Sequence, residues 1–114
     1  METSILTSIK KLLGITKEYT HFDTDLIIHI NSVFPTLRRL GVGPEEGYKI
    51  EDSSNTWDEF IPENSTEFES VKTYIYLKVR LVFDPPSNSS VMSSMKEIIA
   101  ELEWRLNDAA EHIE

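Results

Sequence analysis

The sequence predicts a mainly α-helical fold, a small bundle of about four helices with a short irregular or β-hairpin insertion between the second and third long helices. Apolar residues recur at helical spacing in four stretches, and capping or helix-stopping residues stand at their ends. Residues 41–65 lack this period and contain three of the four glycines. With 114 residues and no internal repeat, the chain is expected to form one domain, residues 1–114.

Residues 4–13 are predicted to form the first helix. Thr3 or Ser4 can cap its N-terminus, and Gly14 stands where a helix usually stops. Its apolar stripe consists of Ile5, Leu6, Ile9, Leu12 and Leu13.

The second helix is predicted to begin at Asp23, whose side chain can serve as the N-cap. Phe22 and Ile27 have the spacing of a hydrophobic staple around that cap. Pro35 lies inside the helix and lacks a backbone N–H, so we expect a kink near Asn31. The apolar face extends to Gly41 through Leu26, Ile27, Ile30, Val33, Phe34, Leu37 and Leu40.

The insertion between the second and third long helices contains two short segments with strand character, Tyr48–Ile50 and Trp57–Ile61. Aromatic and β-branched residues favour a half-buried pleated surface. We therefore expect either a small hairpin that pairs these segments across EDSSNT or an irregular loop.

The segment YIYLKVRLVF, residues 74–83, permits two interpretations. It alternates as a strand does, but Thr66 and Glu69 upstream have the spacing of a capping box. Apolar residues then follow at helical spacing over a length that exceeds a typical strand. Helix is therefore favoured, with the apolar residues Phe68, Val71, Ile75, Val79 and Val82.

FDPPSN, residues 83–88, is predicted to be the corner of a helical hairpin, formed by Asp84, Pro85 and Pro86. A residue before proline avoids helical geometry, so the third long helix should end there. Residues 87–90 offer several caps for a final helix. One side of that helix carries Val91, Met95, Ile98, Leu102 and Leu106.

Twenty acidic residues against eleven basic ones give a net charge of −9. Residues 45–69 hold nine carboxylates and a single cation, Lys49. Such a surface repels a nucleic-acid duplex, although acidic surfaces also serve only to keep small proteins soluble. There is no cysteine and no apolar run long enough to span a membrane, which indicates a soluble protein of a reducing compartment.

No catalytic or metal-binding motif is complete in this chain. The three histidines lack the spacing of a zinc site, and FDTD is explained by a cap at Asp23 and a favourable first-turn charge at Asp25. A calcium-loop match that begins at Asp52 fails because Trp57 occupies the position that requires glycine. We expect no enzyme activity and no cofactor.

The order of several segments resembles a family of phage proteins. FDTDLIIHINSVFPTLRRLGVGPEEGYKI is followed by Trp57 and Phe60, then by VKTYIYLKVRLVFDPPSNSSVM and ELEWRLN. Over residues 3–107 this succession resembles the small head-tail connector proteins of tailed bacteriophages, which are also labelled phage DNA-packaging proteins. The resemblance implies a helical, non-enzymatic virion protein at the head-tail junction, assembled in the host cytoplasm.

The resemblance further implies a homo-oligomeric ring, a dodecamer in our working hypothesis. Its expected partners are the portal protein and tail or head-closure proteins, without membrane or specific nucleic-acid binding. The candidate interface comprises Trp104, Arg105, Asp108, Glu111, Trp57 and Phe60. The candidate acidic lumen comprises Glu45, Glu46, Glu51 and Asp52.

Two of these expectations concern the last helix. Trp104 is predicted to flank the apolar stripe and to be available to a neighbour, or alternatively to close the edge of its own core. Leu106 is predicted to close the core, and the tail from Asp108 to Glu114 is predicted to fray in the free protein and to become ordered against a partner.

A DNA-binding packaging factor of small terminase or helix-turn-helix type is the alternative function. It requires a basic recognition face. The local basic clusters are Lys10 with Lys11, Arg38 with Arg39, and Lys78 with Arg80.

Overall fold

A computed structural model describes residues 2–111. In this part of the chain the only β feature is an isolated antiparallel bridge between Ser4 and Thr56. The mainly α fold class is confirmed, and a short extra helix lies in the insertion. The helices are α1 (Ile5–Leu12), α2 (Asp23–Arg39), α3 (Trp57–Phe60), α4 (Phe68–Phe83) and α5 (Ser89–Glu111).

Helix α1 begins as predicted, because the Ser4 hydroxyl accepts a hydrogen bond from the Thr7 N–H at 3.1 Å. Its apolar stripe differs from the prediction at one position. The Leu12 side chain is 46% exposed, whereas Lys10 is buried. The short helix is therefore inserted deeply enough to bury a lysine.

The carboxylate of Asp23 explains how Lys10 is accommodated. Asp23 Oδ1 lies 2.9 Å from Lys10 Nζ, which also donates to the carbonyls of Lys17 at 3.1 Å and Tyr19 at 2.7 Å. The buried ammonium thus combines one ion pair with two hydrogen bonds to backbone carbonyls. The prediction that Asp23 caps α2 is wrong: it is the first helical residue, and its side chain pairs with Lys10 instead.

Helix α2 continues through Pro35, and its side chains hold the following loop in place. Asn31 Nδ2 donates to the Ile50 carbonyl at 2.9 Å, while Asn31 Oδ1 accepts from the Ile50 N–H at 2.8 Å. Ile50 is buried, so both of its backbone groups obtain partners that water cannot supply there.

The insertion takes the irregular form rather than the β-hairpin. Trp57–Phe60 is helix α3, and the indole N–H of Trp57 donates to the Ser8 hydroxyl at 3.0 Å. Phe60 packs on Phe34, with ring centroids 4.8 Å apart. The aromatic residues predicted to form a strand are therefore held in the core by α1 and α2.

The long segment after the insertion is helix α4, so the helical interpretation of YIYLKVRLVF is confirmed. The predicted capping box is wrong. The Thr66 hydroxyl donates to the Glu67 carboxylate at 2.7 Å, and the Glu67 N–H donates to the Ser65 hydroxyl at 3.1 Å. These contacts form a turn before the helix rather than a side-chain cap.

Helix α4 is the centre of the bundle, because it packs against α1, α2 and α5. The Phe22 and Phe83 rings lie 5.2 Å apart, which places the start of α2 beside the end of α4. The chain then passes through Asp84, Pro85 and Pro86 into α5, which packs against α4.

The start of α5 is capped within the predicted range. Asn88 Oδ1 accepts hydrogen bonds from the N–H groups of Ser90 at 2.8 Å and Val91 at 3.1 Å. These bonds satisfy two of the donors that a helix N-terminus leaves free.

Two residues of the predicted α5 stripe lie outside the core. Val91 and Ile98 are exposed, because Ile99 rather than Ile98 points into the bundle. Only positions that face α4 are covered. The buried stripe is Met95, Ile99, Leu102 and Leu106.

Helix α5 also extends further than predicted. Asn107 Nδ2 donates to the Leu40 carbonyl at 3.4 Å, and Ala110 packs closely on Gly41. Residues 108–111, which were predicted to fray, are helical, and residues 112–114 lie outside the described residues.

Candidate assembly surface

Trp104 is the most exposed large apolar side chain of the described residues, at 68%. It lies two positions from both Leu102 and Leu106, which at 100° per residue is about 160° around the helix from each. The indole therefore lies opposite the core rather than on its flank or closing its edge. An exposed tryptophan on a rigid helix has the character of an interface anchor.

Charged side chains surround Trp104 on the outer side of α5. Glu101 lies one turn before it and pairs with Arg105, at 3.6 Å between Oε2 and Nε. Glu97 and Glu111 stand seven residues on either side of Trp104 and share its side of the helix. Trp104 is thus a single large aromatic side chain in a largely charged surface.

A cavity of about 160 Å³ lies near the C-terminal end of α5. Leu106, Ala109 and Ala110 line it from α5, and loop residues 41–43 and 61–65 complete it. Apart from Ser65 and Glu67, its lining residues are apolar or glycine. The cavity and Trp104 therefore lie on different sides of the same helix.

Two glycines of the LGVGP segment let the loop approach α5 and α3 closely beside this cavity. A Cβ on Gly41 would lie 2.6 Å from the Cβ of Ala110, and a Cβ on Gly43 would overlap the Phe60 ring. Both glycines have a φ of +91°, which side-chain-bearing residues rarely adopt. The sequence showed these glycines only as a turn, and their pairing with α5 and α3 depends on the tertiary fold.

Arg38 and Glu45 extend the cavity region toward solvent. They line an adjoining depression together with Gly41 and Gly43. Both charged side chains are exposed. Sequence reasoning did not include Arg38 in the candidate interface, because its position beside the cavity follows from the loop and not from any local motif.

Two predicted interface residues are in the wrong place for that role. Trp57 is fully buried and Phe60 is 6% exposed. Both belong to the subunit core, where Trp57 also packs edge-on against Phe68 at 5.4 Å. Arg105 and Glu111 are exposed and Asp108 is half-buried. The predicted interface residues that lie outside the core are therefore at the C-terminal end of α5.

The four predicted lumen residues, Glu45, Glu46, Glu51 and Asp52, are all exposed. Hydrogen bonds from the side chain and then the backbone of Ser54 lower the pKa of Asp52. This carboxylate therefore keeps its negative charge more readily than an ordinary aspartate.

A second acidic group of the insertion has its charge stabilised in the same way. Hydrogen bonds from Asn55 and then Tyr48 lower the pKa of Glu59. The Tyr48 hydroxyl donates to Glu59 at 2.8 Å. The insertion is thus an acidic surface whose loop is organised by its own hydrogen bonds.

The basic clusters do not form one recognition face. Lys10 is buried in its ion pair, and Lys78 lies over the Tyr74 ring at 6.0 Å. Arg80 donates to the Tyr76 hydroxyl at 3.1 Å and to the Asp84 carbonyl at 3.4 Å. Lys11, Arg38 and Arg39 are the exposed members.

The histidines of the described part are engaged with aromatic rings. The His21 and Phe22 rings lie 4.9 Å apart, and the His29 and Phe83 rings 6.5 Å apart. Among residues 2–111 no three His, Asp or Glu side chains are grouped to hold a metal ion. No helix of this part is long and apolar enough to cross a membrane.

Comparison with known proteins gives one match. The model of the family described as "Phage connector protein" matches residues 5–112. No curated protein and no solved structure matches. Because the family match covers nearly the whole chain and the helical bundle is present, the chain belongs to the phage connector family of head-tail connector proteins.

Proposed function

We propose that this protein is a ring-forming adaptor, which docks below the portal and joins the DNA-filled head to tail or closure proteins. The observation that carries this proposal is the exposure of Trp104 on the outer side of α5. Family membership implies a structural component of the virion, and an exposed aromatic anchor is what such a component needs to bind another protein.

The partner-facing end of the subunit, in this proposal, is the C-terminal part of α5. Arg105 and Glu111 are exposed there, and Asp108 lies between them. A charged rim around an aromatic anchor provides specificity for a partner and speeds encounter more than it adds affinity. A dodecamer is the stoichiometry to be tested first.

The acidic insertion is proposed to border the lumen through which DNA passes. Avoiding phosphate contacts leaves a duplex free to move, because each such contact adds a salt-sensitive attraction. The dispersal of the basic side chains supports this adaptor over a DNA-binding packaging factor. The Lys10 ammonium in particular forms an ion pair with Asp23 and hydrogen bonds with two carbonyls.

Native mass measurement of the protein with its portal, combined with a DNA-binding titration in salt, tests the proposal. We expect a closed homo-oligomer on the portal and weak DNA binding near physiological salt. A protein that remains monomeric on the portal but binds DNA tightly, with a steep dependence on salt, would be a packaging factor instead.

A further inference from the structure

We propose that the ring contact is a knob and a socket: the Trp104 indole of one subunit enters the cavity between α5 and the loops 41–43 and 61–65 of the next. This inference rests on the proposed ring. It goes further by naming the occupant of the cavity and the direction of the contact.

The cavity is large enough to hold an aromatic ring. The cavity of about 160 Å³ is close to the roughly 150 Å³ of an apolar cavity that holds one benzene molecule. Leu106, Ala109 and Ala110 supply an apolar wall for an aromatic ring. Trp104 is the largest exposed apolar side chain on α5, which makes it the suitable occupant.

The knob and the socket lie on opposite sides of α5. Trp104 points away from the core of its own subunit, whereas Leu106 and Ala110 face the cavity on the other side of α5. One subunit therefore carries the knob and the socket on opposite sides and cannot join them within itself. A head-to-tail contact between two different surface patches is the type that closes into rings.

Charged side chains lie beside both the knob and the socket. Arg38 lies beside the cavity and makes no ion pair with another described residue. Glu101, one turn before Trp104, offers it a carboxylate on the neighbouring subunit. Glu45 also lies at the rim of the socket, and Arg105 beside the knob can pair with it. The knob and the socket thus each carry a cation and a carboxylate, and opposite charges can meet across the contact.

Disulfide trapping tests the contact directly, because the chain contains no cysteine. The double variant Trp104→Cys with Ser65→Cys places one thiol on the knob and one in the socket. We expect a ladder of covalent multimers after oxidation on the portal. Each single variant should give no ladder, since it lacks one half of the contact.

In the matched control, the first cysteine is introduced at Ser93 instead of Trp104. Ser93 is exposed on the outer side of α5, about three turns before Trp104. Ser93→Cys with Ser65→Cys should give no ladder. Equal ladders from both double variants would show collision rather than contact. Disulfide-linked dimers from Trp104→Cys alone would place two knobs against each other. Either result would overturn the inference.

Fluorescence quenching provides a test without new cysteines. Trp57 is fully buried and Trp104 is 68% exposed, so the free wild-type subunit should contain one protected and one quenchable indole. On assembly, acrylamide should lose access to Trp104. A ring in which Trp104 stays quenchable would refute the knob-and-socket contact but not the proposed function. Failure to form a ring would refute both.

Truncation measures the size of the effect. Trp104→Ala should weaken association by roughly 30-fold or more, as truncation of an interface hot spot does. Ile28→Ala, which truncates another exposed apolar side chain on α2, is the control and should change association little. Arg38→Glu should weaken assembly, and Glu101→Arg in the same chain should restore part of it. Unchanged association of Trp104→Ala contradicts the proposal.

Discussion

Lys10 Nζ lies 2.9 Å from Asp23 Oδ1 and ties helix α1 to the first turn of α2. The lysine side chain is 3% exposed and the aspartate 25%, so the pair sits at the edge of the core. Its ammonium also holds the connecting loop through two carbonyls. One buried charge thus fixes three segments of the chain.

Lys10→Met is expected to destabilise the fold by about 3 kcal/mol, because breaking a buried ion pair leaves one charge without its partner. Urea denaturation measures this change. Lys11→Met is the matched control: its side chain is exposed on the same helix, and its effect should stay within about 0.5 kcal/mol. Equal losses from the two variants would show that the Asp23 contact contributes nothing specific.

The sequence predicts where most helices begin and end, because caps, prolines and helical spacing are local properties. It places Lys10 wrongly outside the core for a physical reason. A lysine is buried only when several partners surround its ammonium, and here two of those partners come from a loop without any motif. The sequence wrongly predicts a cap at Asp23 for the same reason, since the partner of its side chain lies thirteen residues away.

The interface residues show the same division between local and tertiary information. Trp57 and Phe60 are aromatic residues in a polar segment, and only the docking of α3 on α1 and α2 buries them. Ile98 and Ile99 are adjacent and equally apolar, so the position of α4 decides which one is covered. The socket is assembled from three distant segments and has no counterpart in the linear sequence.

Asn31→Leu should loosen the insertion, because it removes the side-chain partners of both Ile50 backbone groups at a buried position. We expect a loss of about 2 kcal/mol or more in the free energy of unfolding. Hydrogen exchange at the Ile50 amide should accelerate together with that loss. Ser32→Ala, at an exposed neighbouring position, is the control. Unchanged exchange at Ile50 in the Asn31 variant would count against this anchoring role.

Tyr74 links α4 to α5, since its hydroxyl donates to Glu103 Oε2 at 2.7 Å. Burial raises the pKa of Tyr74, and the hydrogen bond and negative charge of Glu103 raise it further. The hydroxyl is thus protonated in the fold at pH values where it ionises in the unfolded chain. Its contribution to stability is present below about pH 10 and is lost as the pH rises above that value.

Tyr74→Phe should therefore cost about 1–3 kcal/mol at pH 7, the loss of a hydrogen bond to a charged acceptor. The difference from wild type should narrow above pH 10, because phenylalanine cannot ionise. Tyr19→Phe, at a tyrosine that is 49% exposed, is the control and should change stability little at pH 7. A constant difference between wild type and Tyr74→Phe from pH 7 to 11 would exclude the proposed linkage.

The acidic lumen is the expectation that connects charge to genome passage. Replacing Glu46, Glu51 and Asp52 by lysine adds two charges at each position and changes the net charge from −9 to −3, while Glu45 is left unchanged because it borders the socket. The assembled ring should then bind duplex DNA with a salt-dependent affinity, and genome release should slow, because each phosphate neutralised adds an attraction. The matched comparison is between Glu46→Lys with Glu51→Lys and Glu18→Lys with Asp25→Lys, which alter equal charge at different exposed sites. Stronger DNA retention by the first pair supports a lumen at the insertion, and equal retention by both pairs attributes the effect to net charge alone.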